Sequence, residues 1–190
     1  MTEAAESDEV LMDRYARGDA AAFESLYRRH EMRTWRYIER NVGNRDTADE
    51  FMQEVWFAVA RQAAHYRPAA RFTTWLFTIA HHRIVDWARR IRPHTSLESL
   101  HHEIGSVVMQ LTADPSSGPL AAAVAHEQSS ALARALAELP IEQRDAFLMQ
   151  IEGDLSVEEI AAVTGVSFET SKSRLRYARL KLRDLLQEHA

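Results

Sequence analysis

Residues 155–175 constrain the fold of this chain more than any other segment, because they hold two helix starts and one helix end in close succession. Ser156 and Glu159 have the spacing of a capping box, in which a hydroxyl and a carboxylate satisfy the first amides of a helix. Gly165 can adopt the left-handed conformation that ends this helix. Ser167 can cap a second helix. The pattern predicts a helix-turn-helix unit near the C-terminal end.

The second helix of this unit is strongly basic on one face. Between residues 167 and 183 there are six Lys and Arg residues and one acid, Glu169, while Leu175 and Ala178 belong to an apolar face. Such a helix can bind phosphates, and side chains early in it can reach base edges. An ordinary hairpin with a solvated basic face is the alternative. The predicted DNA contacts are Ser167, Thr170, Lys172, Ser173, Arg174, Arg176 and Arg179.

Charge divides the chain into four parts. Residues 1–9 hold four acids and no base, and residues 93–127 hold four acids and no Lys or Arg. Residues 10–92 carry 15 Lys and Arg against 10 Asp and Glu, although the whole chain has a net charge of −5. We therefore predict an acidic tail (1–9), a helical domain (10–92), a linker (93–127) and a second helical domain (128–190). Basic elements in both domains suit a protein that touches DNA twice and depends on a partner for affinity.

Helical periodicity without any strand pattern predicts an all-α fold of two small helical domains joined by a flexible linker. Cysteine is absent, which excludes disulfides and thiolate metal sites and indicates a reducing compartment. No apolar run has membrane-spanning length, and the acidic N-terminus is unlike a signal peptide. We expect a cytoplasmic protein without membrane insertion. The expected helices of the first domain are 10–18, 20–42, 46–64 and 74–91, and a helix from Pro140 to Gly153 precedes the helix-turn-helix.

An acidic helix face in the first domain has the character of a protein-docking surface. It combines Asp49, Glu50, Gln53 and Glu54 with Trp56. An exposed tryptophan among such residues is typical of an interface. The spacing fits equally well with a core tryptophan beside solvated acids.

Aromatic and basic residues alternate in residues 71–92, next to a loop that contains Tyr66 and Arg67. Stacking planes beside phosphate ligands hold unpaired bases. The alternative is that Phe72, Trp75 and Trp87 are core residues and the arginines are solvated, and we expect most of these aromatics to be buried.

Taken together, these segments resemble the bacterial sigma factors of the extracytoplasmic-function (ECF) type. Motifs that carry the resemblance include Phe72-Thr73-Thr74-Trp75-Leu76 in the first domain and Gly165-Val166-Ser167 in the second. The resemblance implies a promoter-specificity subunit of RNA polymerase, with residues 10–92 as sigma region 2 and residues 128–190 as sigma region 4. It also implies three partners: core RNA polymerase, promoter DNA and an anti-sigma factor.

The resemblance assigns roles to the candidate residues. The basic recognition helix would read the −35 element, and the Asp49–Trp56 helix would dock on the polymerase. Recognition and melting of the −10 element would require a pocket for a flipped base, since unstacking costs free energy. Residues implied in −10 recognition are Tyr66, Arg67, Arg71, Phe72, Trp75, His82, Arg83, Asp86, Arg89 and Arg90.

Three departures from the family pattern affect packing or specificity. Ser171 and Thr164 stand where the family usually has aliphatic residues, so both should weaken packing within the helix-turn-helix. His82 stands where asparagine is common, which bears on the −10 preference.

Other classes of protein fit less well. The sequence has no glycine-rich phosphate loop and no cysteine nucleophile, so we predict no enzymatic activity and no cofactor. A free-standing dimeric regulator would need a dimerisation face, and a pure protein-interaction module would not need a basic recognition helix. One group of histidines could form a metal site or a pH sensor. The alternative is that these histidines are scattered and solvated, and we predict no metal. That group is His81, His82, His94, His101 and His102.

Overall fold

The computed structural model describes residues 6–67, 69–91 and 130–187, and these residues form helices and their connections without a strand. The all-α prediction and the two helical units are confirmed, while the predicted linker (93–127) lies outside the described residues. The N-terminal unit comprises α1 (Asp8–Ala16), α2 (Ala20–Val42), α3 (Arg45–Gln62), a 3-10 turn (Ala63–His65) and α4 (Phe72–Ile91). The C-terminal unit comprises α5, which includes residues 130–137, α6 (Ile141–Gly153), α7 (Val157–Thr164) and α8 (Phe168–Gln187).

The last residues of the predicted acidic tail (1–9) are part of the helical bundle, while residues 1–5 lie outside the described residues. Helix α1 begins at Asp8 rather than at residue 10, with Ser7 as its N-cap. Asp8 lies 2.9 Å from Arg29 and 2.7 Å from His30, both on α2. The hydrogen bond with His30, together with Arg29, outweighs burial and lowers the pKa of Asp8. Arg29 and His30 of α2 therefore bind Asp8, an acid that the charge pattern assigns to a separate tail.

Two helices begin earlier in the chain than predicted, because a side chain outside each helix accepts a hydrogen bond from one of its first amides. Helix α3 begins at Arg45 because Asn44 accepts a hydrogen bond from the Thr47 amide at 2.9 Å. Helix α4 begins at Phe72, two residues before its predicted start, and the Phe72 amide donates to Glu9 Oε1 at 3.0 Å. The Asp19 cap and the end of α2 at Gly43 are as predicted. A cap supplied by a distant helix has no local signature in the sequence.

The two units share one continuous apolar core. Helices α2 and α4 pack against α6, and α4 also packs against α7. The Tyr37 and Phe77 rings lie 4.8 Å apart, and a Cβ atom on Gly153 of α6 would lie 3.0 Å from the Phe77 ring. Within the residues described, no helix combines the length and the apolar character needed to cross a membrane.

Candidate nucleic-acid interface

The helix-turn-helix unit forms with the predicted caps. The Ser156 hydroxyl accepts from the Glu159 amide at 3.2 Å, and Glu159 Oε2 accepts from the Ser156 amide at 2.8 Å. Gly165 ends α7 with φ +66°, in the left-handed region, and the Val166 amide donates to the Ala161 carbonyl at 3.1 Å. Ser167 Oγ accepts from the Thr170 amide at 3.2 Å at the start of α8. Local hydrogen bonds therefore fix the entry angle of α8.

Helix α8 separates a buried apolar side from an exposed polar side. Ser171, Leu175, Ala178 and Leu182 are buried against the rest of the C-terminal unit. The residues predicted to contact DNA that are exposed on its other side are Ser167, Thr170, Lys172, Ser173, Arg176 and Arg179. These side chains are therefore accessible to solvent on one side of the unit.

Arg174 differs from the other predicted contacts, because it is half-buried and lines a cleft between the two units. The cleft has a volume of about 330 Å³ and also contacts His81, Arg89 and Asp145. In this arrangement Arg174 lines the cleft together with residues of α4 and α6. Its spacing on the basic face does not reveal this, because the approach of α4 is a tertiary feature.

Tyr66, Phe72 and Trp75 form an aromatic cluster at the start of α4. The Tyr66 and Trp75 rings are 5.0 Å apart, and the Phe72 and Trp75 rings are 5.9 Å apart. Phe72 is fully buried, as the core alternative predicts, and it packs against the half-buried rings of Tyr66 and Trp75. Burial, with Glu9 and Asp8 nearby, raises the pKa of Tyr66 to about 12, so its hydroxyl stays protonated.

Basic residues surround this cluster and continue along α4. Arg67 and Arg71 are exposed beside the rings, and His82 is exposed one residue after the buried His81. Arg83 is half-buried, with its Nε atom 3.5 Å from Glu54 of α3. Asp86, Arg89 and Arg90 are exposed near the end of α4. The structure thus places all the predicted −10 residues along α4 and the loop before it.

The acidic face of α3 is exposed, but its tryptophan is not. Asp49, Glu50, Gln53 and Glu54 are exposed, whereas Trp56 is 5% exposed. Of the two alternatives that the sequence left open for Trp56, the structure shows the core tryptophan beside exposed acids. Trp56 packs edge-on to Phe23 and Tyr27 of α2, at centroid distances of 5.7 and 5.0 Å.

Two aromatic residues near this face are not among the predicted docking residues. Phe57 is 65% exposed, next to the buried Trp56. Trp35 of α2 donates from Nε1 to Asp49 at 2.6 Å, and the Arg45 guanidinium lies 5.8 Å from the Trp35 ring centroid. Phe57 could have been found, because it follows Trp56 and the two cannot share one helix face. Trp35 could not, because it lies on another helix.

Side chains of the C-terminal unit also bind residues of the first unit. Glu159 Oε1 accepts a hydrogen bond from the Thr74 hydroxyl at 2.5 Å, and Glu159 Oε2 lies 3.5 Å from Arg71. Asp145 accepts from the Tyr37 hydroxyl at 2.6 Å and lies 2.8 Å from His81 Nδ1. These contacts bring Arg71 of the predicted −10 surface against the helix-turn-helix.

The histidines do not assemble a metal site in the part of the chain that the structure describes. The His81 and His82 rings are 5.8 Å apart, but His81 is buried against Asp145, while His82 is exposed. No group of three or more metal-binding side chains is found among residues 6–67, 69–91 and 130–187. His94, His101 and His102 lie outside these ranges.

Comparison with known proteins agrees with this architecture. Residues 26–93 match the family model of sigma-70 region 2, and residues 129–182 match that of sigma-70 region 4. A sigma factor–anti-sigma factor complex, RpoE with NepR from Bartonella quintana, shares the fold. The TM-score is 0.67 at 22% identity, over 87% of this chain and 96% of that chain.

Relatives of known class span both units. The chain is 35% identical to the ECF RNA polymerase sigma factor SigE of Mycolicibacterium smegmatis over 181 residues, which cover 92% of this chain and 66% of that protein. It is 31% identical to the RNA polymerase sigma factor CarQ of Myxococcus xanthus over 93% of this chain and 96% of that protein. The chain therefore belongs to the ECF family of RNA polymerase sigma factors, which are transcription initiation factors.

Proposed function

We propose that this chain binds core RNA polymerase and directs it to promoters by reading a −35 and a −10 element, the latter of which it melts. The observation that carries the proposal is the presence of two separate basic surfaces. One is the exposed face of α8, and the other runs from Arg67 along α4. A regulator that binds duplex DNA alone needs only the first surface.

The C-terminal unit would read the −35 element in the major groove. Thr170, Lys172 and Ser173 lie in the first turn and a half of α8, where side chains can reach base edges. Arg176 and Arg179 lie further along the exposed face and would contact phosphates. Arg174, which is half-buried at the cleft between the units, would join them when the units separate.

The N-terminal unit would capture the melted −10 strand. The half-buried rings of Tyr66 and Trp75 offer stacking surfaces that rest on the buried Phe72, while Arg67 and Arg71 supply positive charge beside them. Stacking of an extruded base on these rings would offset the free energy of unstacking. His82, Arg83, Asp86, Arg89 and Arg90 would set the sequence preference and hold the backbone.

Polymerase would dock on the exposed face of α3. Asp49, Glu50, Gln53 and Glu54 supply a polar rim, and the exposed Phe57, rather than the buried Trp56, supplies the aromatic anchor. A groove of about 470 Å³ between α2 and α3, lined by Trp35 and Asp49 among others, borders this face. Interfaces commonly place an aromatic anchor within such a rim.

An anti-sigma factor would regulate the chain by covering these surfaces. The fold is shared with RpoE, whose structure is a complex with the anti-sigma factor NepR. We infer a similar class of regulator here and action in the cytoplasm, where polymerase is found. The first domain, residues 10–92 together with Asp8 and Glu9, would bind polymerase and the −10 element. The second domain, residues 128–190, would bind the −35 element.

In vitro transcription tests the proposal directly. Purified chain and core RNA polymerase are incubated with genomic promoter fragments, and the run-off transcripts are mapped. Initiation at specific sites that requires the chain is the expected result, and comparison of those sites reveals the two promoter elements. Tight DNA binding by the chain alone, without transcription, would instead identify a free-standing regulator.

A further inference from the structure

Glu159 connects the two DNA-binding elements of this chain. It belongs to the capping box of α7, but its Oε1 atom accepts the Thr74 hydroxyl hydrogen of α4 at 2.5 Å. Its Oε2 atom lies 3.5 Å from Arg71 Nη1, and the same nitrogen donates to the Asp154 carbonyl at 3.1 Å. Arg71 and Thr74 flank the aromatic cluster of the N-terminal unit. A carboxylate of the −35 unit therefore occupies donors of the −10 surface.

Two further carboxylates extend this contact across α6. Asp145 and Glu152 are each 4% exposed, and the partners that the structure gives them lie in the N-terminal unit. Asp145 binds Tyr37 and His81, as above. Glu152 lies 3.0 Å from Arg36 Nε and 2.6 Å from Arg40 Nη1. The polar part of the contact thus places three acids of the C-terminal unit against donors of the N-terminal unit, while Arg144 of the C-terminal unit donates to the Asn41 carbonyl at 3.0 Å.

The polar part of this contact is suited to reversible opening. Buried ion pairs add little net stability, because the desolvation of both charges offsets their attraction. Water can rehydrate the carboxylates and the arginines once the units separate, whereas an apolar interface would have no such compensation. The apolar part of the contact, where Phe77 packs against Tyr37 and Gly153, must also separate when the units open.

On the basis of the proposed function, we propose that Glu159 competes with the promoter strand for Arg71 and Thr74, so that the free chain inhibits its own −10 binding. The carboxylate supplies the anionic oxygens that a DNA phosphate would otherwise present to Arg71. In the closed contact, the half-buried Arg174 and the exposed Arg89 line the same cleft between the units. The −10 strand must displace the C-terminal unit before it can bind.

The test compares Glu159→Gln with Glu158→Gln in the full chain. Gln also completes a capping box at this position, so Glu159→Gln retains the cap of α7 while it loses the charge that holds Arg71. Glu158 is exposed on the same helix, and its replacement makes the same change in net charge. The probe is a fluorescent single-stranded oligonucleotide with the non-template −10 sequence of a promoter mapped by run-off transcription.

Opening is followed independently by energy transfer between two dyes. The sequence contains no cysteine, so Gln62→Cys on α3 and Arg183→Cys on α8, both exposed positions, give a defined labelling pair. The labelled chain with otherwise native sequence reports the closed contact. Oligonucleotide addition is expected to lower the transfer efficiency.

We expect Glu159→Gln to bind the oligonucleotide about tenfold more tightly than the native chain, since a hydrogen bond to a charged group is lost from the closed form only. Glu158→Gln is expected to bind like the native chain. Equal gains in both variants would indicate general charge repulsion and overturn the proposal. Unchanged affinity in Glu159→Gln, or transfer efficiency that oligonucleotide addition leaves unchanged, would overturn it as well.

These outcomes are separate from failure of the proposed function. If run-off transcription shows no initiation, the sigma factor assignment of the site residues fails before the competition is tested. If initiation occurs and the two variants bind alike, only the competition by Glu159 fails.

Discussion

The Tyr37 hydroxyl donates a hydrogen bond to Asp145 Oδ1 at 2.6 Å, although the two residues are 108 positions apart in the sequence. Tyr37 is fully buried and Asp145 is 4% exposed. Burial and the Asp145 charge raise the pKa of Tyr37 well above its usual value, so the phenol remains a donor. The pair joins α2 of the N-terminal unit to α6 of the C-terminal unit.

We expect Asp145→Ala to destabilise the chain by about 2–4 kcal/mol, because it leaves the Tyr37 hydroxyl and the His81 ring without their buried partner. Tyr37→Phe should cost less, about 1–2 kcal/mol, since His81 still pairs with Asp145. Urea unfolding followed by circular dichroism measures both changes. Tyr177→Phe, at a position that is 55% exposed, is the matched control and should leave the unfolding midpoint unchanged.

Gly153 allows the two units to approach each other closely. A Cβ atom at this position would lie 2.6 Å from Leu155 Cδ1 and 3.0 Å from the Phe77 ring. We expect Gly153→Ala to cost about 1–3 kcal/mol through overpacking. A double-mutant cycle with Phe77→Leu checks the cause, because the smaller side chain should reduce the cost of the added methyl. Additive effects of the two substitutions would contradict the close contact with Phe77.

Features encoded by neighbouring residues were predicted well. The Ser156–Glu159 box, the left-handed Gly165 and the Ser167 cap all lie within a few residues of the helices they start or end. Their hydrogen bonds depend on local backbone geometry, so spacing alone is informative. The same holds for the buried side of α8, which follows from its apolar periodicity.

Features that depend on distant parts of the chain were missed. Glu9 caps α4 from α1, and Trp56 is buried by Phe23 and Tyr27 of α2. Glu159 fulfils its local capping role and also binds Thr74, 85 positions away. A helical repeat shows which residues share a face but not which other helix covers that face. For the same reason, the charge pattern does not show that Asp8 and Glu9 bind residues of α2 and α4.

Ser171 is a buried polar residue whose Oγ atom has no hydrogen-bond partner in the described part of the chain. Its aliphatic counterparts in the family would fill this position without an unsatisfied hydroxyl. We expect Ser171→Ala to raise the free energy of unfolding by about 1 kcal/mol more than Ser173→Ala. Ser173 is exposed on the same helix, so its replacement reports the helix propensity of alanine alone. Thermal unfolding of both variants makes the comparison, and equal melting temperatures would indicate that the Ser171 hydroxyl is satisfied.

Acid should weaken the attachment of α1. The hydrogen bond from the Phe72 amide outweighs burial and lowers the pKa of Glu9 below its ordinary value of 4.5. A carboxylate with a lowered pKa contributes stability above its unfolded pKa, and this contribution is lost as pH falls through the folded value. We therefore expect Glu9→Gln to be less stable than the native chain at neutral pH, with a difference that shrinks below about pH 4.5. Urea unfolding at a series of pH values measures the difference, and a gap that stays constant would contradict the role of the charge.

The exposed residues of α8 and α3 should affect different steps of transcription. Charge reversal of Lys172 and Arg176 is expected to abolish initiation at promoters that depend on the −35 element, while affinity for core polymerase stays unchanged. Each lost phosphate contact also lowers the dependence of DNA affinity on salt concentration. Replacement of Asp49 and Gln53 by alanine should instead weaken polymerase binding and reduce transcription from all promoters equally. Fluorescence anisotropy with labelled chain measures polymerase affinity, and run-off transcription over a range of salt concentrations measures promoter use. If both pairs of substitutions weakened polymerase binding to the same extent, the assignment of separate surfaces to polymerase and to the −35 element would be wrong.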